Sequence, residues 1–122
     1  MSNRGNTESI LDHNALDELR ACDPDGTGLL AELIDIWVSD TPPRLAALRL
    51  AFEAGQPAAL SREAHALKSG SAQLGACAVA ATCRELEYLG RDGSLAGVEE
   101  RLARLQQEFE NARRALLAIK QG

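Results

Sequence analysis

The apolar residues of this chain fall into five stretches, and within them the spacing repeats at three and four residues, the period of one helix face. The most regular is the last, where Leu95, Val98, Leu102, Leu105, Phe109, Ala112, Leu116 and Ile119 alternate three and four throughout. Earlier stretches carry Leu60, Ala64, Leu67, Ser71 and Leu74, then Ala76, Val79, Cys83, Leu86 and Gly90. A longer one carries Leu30, Ile34, Trp37, Thr41, Leu45, Leu48 and Phe52, and a short first one carries only Leu16 and Leu19. Asp12 is a good N-cap for that first helix, with Leu11 placed to staple onto Leu16. Turn chemistry separates the stretches: Asp23-Pro24-Asp25-Gly26, then Gly55 with Pro57, then Gly75, then Gly90 to Gly93. Pro42 and Pro43 interrupt the long stretch, so a kink or two abutting helices is expected there. The pattern predicts an all-α fold, an antiparallel up-down-up-down four-helix bundle with a short additional N-terminal helix. One domain over residues 11–120 is expected, behind a flexible lead-in at 1–10.

Composition supports the same class. The 122 residues hold 21 Ala and 19 Leu against 3 Val and 4 Ile, which favours helices over strands. A net charge of -5 argues against nucleic-acid binding, which needs a basic face, and against an anionic membrane surface. Three cysteines at no metal-ligand spacing point to a reducing compartment without disulfides. There is neither a membrane-spanning apolar run nor the apolar core of a secretory signal in Met1 to Ser9, so a cytoplasmic protein is expected.

Candidate chemistry is sparse. The Asp23 segment superficially resembles the start of a calcium loop, but Ile34 stands at the twelfth position, where a bidentate Glu would be needed. No metal site is expected. Of the two histidines, His13 sits in the first turn of a helix and is given no role. His65 lies about 140° around the helix from the core stripe of its stretch, so it faces water in mid-helix. Lys68, one of only two lysines, is one turn further on. His65 is ten residues before Gly75 and Glu87 is twelve after it, which sets the two at nearly the same height in an antiparallel pair. A carboxylate there can accept a bond from the imidazole Nδ1–H and leave Nε2 free as a nucleophile. Lys68 can offset the charge of an arriving phosphoryl group.

The run Ala64-His65-Ala66-Leu67-Lys68-Ser69-Gly70-Ser71-Ala72-Gln73-Leu74-Gly75-Ala76 resembles the signature of histidine-containing phosphotransfer (HPt) domains: His-x-Leu-Lys-Gly-Ser, a short gap, and Gly-Ala. The resemblance extends from residue 11 to about residue 119 in helix order. It implies that His65 is the phosphoacceptor, that Lys68 is the phosphate-side lysine and that Glu87 matches the Gln or Glu that orients the histidine. It further implies reversible exchange with receiver-domain aspartates, those of a hybrid sensor histidine kinase and of a response regulator. No cofactor is then bound by this chain, and Mg²⁺ is supplied within the partner receiver. One departure is Ser69, where the family often has Gly for close approach. Docking is expected to use Ser69, Gly70, Ala72 and Arg62 around the histidine, with Leu16 or Leu19 and Leu29 or Leu33 as an apolar surface.

Other readings have weaker support. A histidine-kinase fragment would carry Glu after the His and a nearby Pro, whereas Ala66 follows here and there is no room for an ATP-binding domain. A non-catalytic helical adaptor for receiver or kinase domains is the alternative function. The regular last helix would suit a dimer, but an intramolecular seam, and hence a monomer, is the preferred reading.

Overall fold

The computed structural model describes residues 10–121. The expected lead-in lies outside the described residues except for Ile10, which packs against the core. Five helices follow: α1 His13–Ala21, α2 Leu29–Glu53, α3 Pro57–Gln73, α4 Cys77–Arg91 and α5 Val98–Gln121. Each of α2 to α5 packs on the next, and α5 closes the ring against α2, with α1 laid on α2 and α3. The core is made largely of the residues that the spacing singled out, with Leu30, Leu45, Phe52, Leu95 and Ile119 only partly buried against it. Ile34, Leu48, Leu60, Leu86, Leu105 and Leu116 are fully buried within it.

Helix boundaries follow local chemistry. Asp12 caps α1 by accepting the Asn14 amide at 3.0 Å. The Asp23 carboxylate organises the start of α2. Its Oδ1 accepts the Thr27 amide and hydroxyl, and its Oδ2 accepts the amides of Gly28 and Leu29. These bonds, the Thr27 hydroxyl first, hold the Asp23 carboxyl down to about 2. The segment that resembles a calcium loop is therefore a capping turn at the positive end of a helix.

Pro42 and Pro43 lie inside α2, which runs through them as one helix, so there are not two abutting helices. The prolines deny amide donors to the Val38 and Ser39 carbonyls, but Ser39 is exposed and Val38 only half-buried, so water can replace a missing donor. On the buried side, the Thr41 hydroxyl donates to the Trp37 carbonyl at 2.6 Å.

Two glycines permit contacts that any side chain would block. Gly75 has φ +75°, and a Cβ there would sit 2.5 Å from the Asp12 carbonyl oxygen. The absent side chain lets the Asp12 amide donate to the Gly75 carbonyl at 2.7 Å, with Leu11 bridging to Ala76. Gly90 lets α4 lie directly on the start of α3, since a Cβ there would sit 2.5 Å from the Pro57 carbonyl oxygen. The α3–α4 pair is the closest-packed in the bundle, and it carries the site.

Candidate functional site

Leu60, Ala64, Leu67 and Ser71 of α3 turn inward, and that rotation sets His65 outward on the opposite face. Its side chain is 61% exposed. Glu87 occupies the matching height on α4, where Leu86 points into the core, and its side chain is only 5% exposed. His65 Nδ1 and Glu87 Oε2 are 2.9 Å apart. Because an ionised carboxylate only accepts, Nδ1 carries the hydrogen and the Nε2 lone pair is left facing solvent.

Glu87 has two further partners. Lys68 Nζ donates to Oε1 at 2.5 Å, and Arg91 Nη2 donates to Oε2 at 3.0 Å. Lys68 and then His65 hold the Glu87 carboxyl below its ordinary range, against burial, which acts the other way. Lys68 is half-buried, and in this state its ammonium is bound to Glu87. The reason is distance: a nearly buried carboxylate lies within reach of the lysine stem.

Trp37 and Ser71 brace the helix behind the histidine. Trp37 Nε1 donates to the Ser71 hydroxyl at 3.0 Å, and that hydroxyl donates to the Leu67 carbonyl at 2.7 Å. Phe109 of α5 tilts against the indole with ring centroids 5.2 Å apart. Every buried side-chain nitrogen and oxygen among the described residues has a hydrogen-bond partner. The post that carries His65 is thus fully bonded and packed.

The surroundings of His65 are low and open. Ser69 is exposed, with its hydroxyl folded back onto the His65 carbonyl at 3.2 Å, and Ala72 and Arg62 are also exposed. Gly70 is half-buried, and a Cβ there would meet Trp37 only at ordinary contact distance. Two grooves flank this ridge. One, between α2 and α3, is lined by Leu33, Ile36, Trp37, Ala66 and Gly70 among others. The other, between α3 and α4, is lined by Lys68, Ser69, Ala72, Ala80, Ala81, Arg84 and Tyr88. Tyr88 is flanked by the guanidinium groups of Arg84 and Arg91, 5.5 and 5.4 Å from its ring centroid.

The expected apolar surface is only partly present. Leu16 is fully buried and Leu19 is 8% exposed, so both belong to the core and not to a docking face. A helix as short as α1 uses its whole apolar stripe to attach to the bundle. Leu29 and Leu33 are half-buried, and Leu33 lines the α2–α3 groove. Sequence reasoning missed Ile36, which is 55% exposed beside Leu33, because it lies off the core stripe of α2. It also missed Arg91, although Arg91 is four residues after Glu87, the spacing of a helical ion pair. Among the described residues, no three His, Cys, Asp or Glu side chains gather in a way that could hold a metal ion. Nor is any described helix long and apolar enough to cross a membrane.

Comparison with known proteins adds two findings. A family model described as the Hpt domain matches residues 32–115. The chain is also similar to the crystal structure of histidine-containing phosphotransfer protein B (HptB) from Pseudomonas aeruginosa PAO1. That match has 32% sequence identity and a TM-score of 0.83, covering 92% of this chain and 95% of the other. A search of curated proteins found no match.

Proposed function

The chain belongs to the Hpt domain family, whose members carry phosphoryl groups on histidine in phosphorelays, and on that footing we propose that His65 is the phosphorylated residue. In this reading the donor is the receiver-domain aspartate of a hybrid sensor kinase, and the acceptor is the receiver aspartate of a response regulator, with transfer reversible. The observation that carries it is the His65–Glu87 pair: an imidazole exposed on its Nε2 side and tied at Nδ1 to a nearly buried carboxylate.

The chemistry divides between the two proteins. Nε2 attacks phosphorus in line, the bond from phosphorus to the aspartyl oxygen breaks, and aspartate leaves as a carboxylate. The ring keeps its Nδ1 proton and becomes formally cationic, and Glu87 faces that charge. Lys68, one turn from His65 on the same helix, is within reach of the phosphoryl oxygens. The receiver contributes its own Mg²⁺, and this chain contributes a rigid, oriented nucleophile, so docking supplies most of the rate through positioning. The α2–α3 groove, with Leu33 and Ile36, and the small residues Ser69, Gly70 and Ala72 form the docking ridge; Arg62 lies at its edge. The carrier is cytoplasmic and monomeric in this reading, and ATP alone leaves it unlabelled.

The test is incubation with a phosphorylated receiver domain carrying labelled phosphate. The expected result is an acid-labile, alkali-stable label on this chain, absent from His65→Gln. A label that persists in His65→Gln, or no label from any receiver of the source cell, would overturn the reading. Receiver binding without transfer, unchanged by His65→Gln, would identify an adaptor instead.

A further inference from the structure

Glu87 is shared by three donors, and the way they divide it is informative. Lys68 comes from α3 and takes Oε1 by one hydrogen bond. Arg91 comes from α4 and takes Oε2, the same oxygen that receives the His65 Nδ1–H. Arg91 also has a second anchorage that does not involve Glu87, its guanidinium lying 5.4 Å from the Tyr88 ring centroid. The carboxylate between these cations is 5% exposed. A carboxylate so buried is costly to leave without a cation.

Phosphorylation changes the demand on Lys68. A phosphoryl group on Nε2 brings two negative charges within reach of the ammonium one turn away. If Lys68 turns to it, Oε1 loses its partner while Oε2 must go on holding the ring. We propose that Arg91 is a positioning residue that keeps the Glu87 carboxylate partnered and aimed at His65 Nδ1 while Lys68 turns to the phosphoryl group. This deepens the phosphocarrier reading and rests on it. The two cations then have successive tasks: both hold Glu87 in the resting protein, and Arg91 alone holds it in the phosphorylated one. Transfer itself moves no proton at Nδ1. The N–P bond forms as the donor's bond to phosphorus breaks, and the ring charge created is balanced by a carboxylate that has stayed in place.

The experiment follows the His65 Nδ1–H by NMR in ¹⁵N-histidine-labelled protein, before and after loading with phosphoramidate. That small donor places phosphoryl on imidazole and releases ammonia, so no partner protein is needed. In wild type the hydrogen-bonded Nδ1–H signal is expected in both states. In Arg91→Ala it is expected in the resting state, held by Lys68, and lost to solvent exchange after loading. Loading itself should slow about tenfold, the size of one charge-assisted hydrogen bond. Arg91→Lys should restore both. A merely structural role would alter the resting state as much as the loaded one. Loss of the signal in both states, or a loaded Arg91→Ala that matches wild type in signal and rate, would overturn the proposal alone. Failure of wild type to load at His65 would overturn the phosphocarrier reading beneath it.

Discussion

Replacing Glu87 by Gln isolates the charge of the central carboxylate while keeping its shape. The amide oxygen can still accept from His65 Nδ1 and Arg91, as Oε2 does now. The amide nitrogen then faces Lys68, and a donor meets a donor where a 2.5 Å bond stood. A hydrogen bond to a charged group contributes about 1.5–3 kcal/mol. Because Lys68 is 27% exposed and Arg91 63%, water recovers part of this, so about 1–2 kcal/mol is the expected loss. For a domain of this length that lowers the thermal midpoint by about 4–8 °C near neutral pH. The pH dependence follows from the depressed Glu87 carboxyl. A folded-state value below the ordinary 4.5 stabilises the protein above that pH and ceases to do so as pH falls through the lower folded value. Paired melting curves of wild type and Glu87→Gln should therefore differ near neutral pH and converge as pH falls through the lowered folded-state value of Glu87, below which both side chains are neutral. A gap of constant size across that range would refute the reasoning, because it would show that shape and not charge carries the effect. Phosphotransfer should persist in Glu87→Gln, since the Nδ1–H keeps an acceptor.

Other substitutions separate fold from chemistry. Gly75→Ala forces a Cβ against the Asp12 backbone at a positive φ and should cost about 1–3 kcal/mol, detected as a lower melting temperature and faster amide exchange at Asp12. Leu67→Ala, at a site 2% exposed, should cost about 2–5 kcal/mol, and an unchanged melting curve would contradict the packing behind His65. Asp23→Ala removes the turn before α2. It should lower the melting temperature at neutral pH, and the difference should vanish as pH approaches about 2, where the wild-type carboxyl itself becomes protonated. Lys68→Ala should slow transfer from a phosphorylated receiver yet leave helicity unchanged, as measured by circular dichroism.

The bundle was legible because its core stripes repeat without fault. Leu60, Ala64, Leu67, Ser71 and Leu74 are all buried, and that rotation alone placed His65 outside. The His65–Glu87 pairing followed from counting residues on either side of Gly75, since two antiparallel helices of equal rise bring similar counts, here ten and twelve, to nearly the same height. What counting does not reveal is the reach of flexible side chains. Lys68 was assigned to an incoming anion, and counting did not show that in the resting protein a resident carboxylate, Glu87, already holds it. Arg91 does not flank the histidine; it lies one helical turn beyond Glu87, so only the surroundings of the carboxylate reveal it. Pro42 and Pro43 read as a kink or a junction of two helices, and the helix continues because Ile34 and Trp37 before them and Leu48 and Ala51 after them are buried in the bundle. Leu16 and Leu19 were ambiguous for a different reason: an apolar stripe of two residues serves equally for attachment and for docking, and only packing decides.

Trp37 is the only tryptophan in the chain, and it lies buried beside Gly70 with its indole nitrogen bonded to Ser71, six residues after His65. It also forms part of the floor of the α2–α3 groove. Its ultraviolet emission is therefore a native optical gauge seated directly under the ridge, sensitive to water leaving the groove if the proposed partner settles there. Complex formation can be timed on the unlabelled molecule, with no dye to perturb the surface under study.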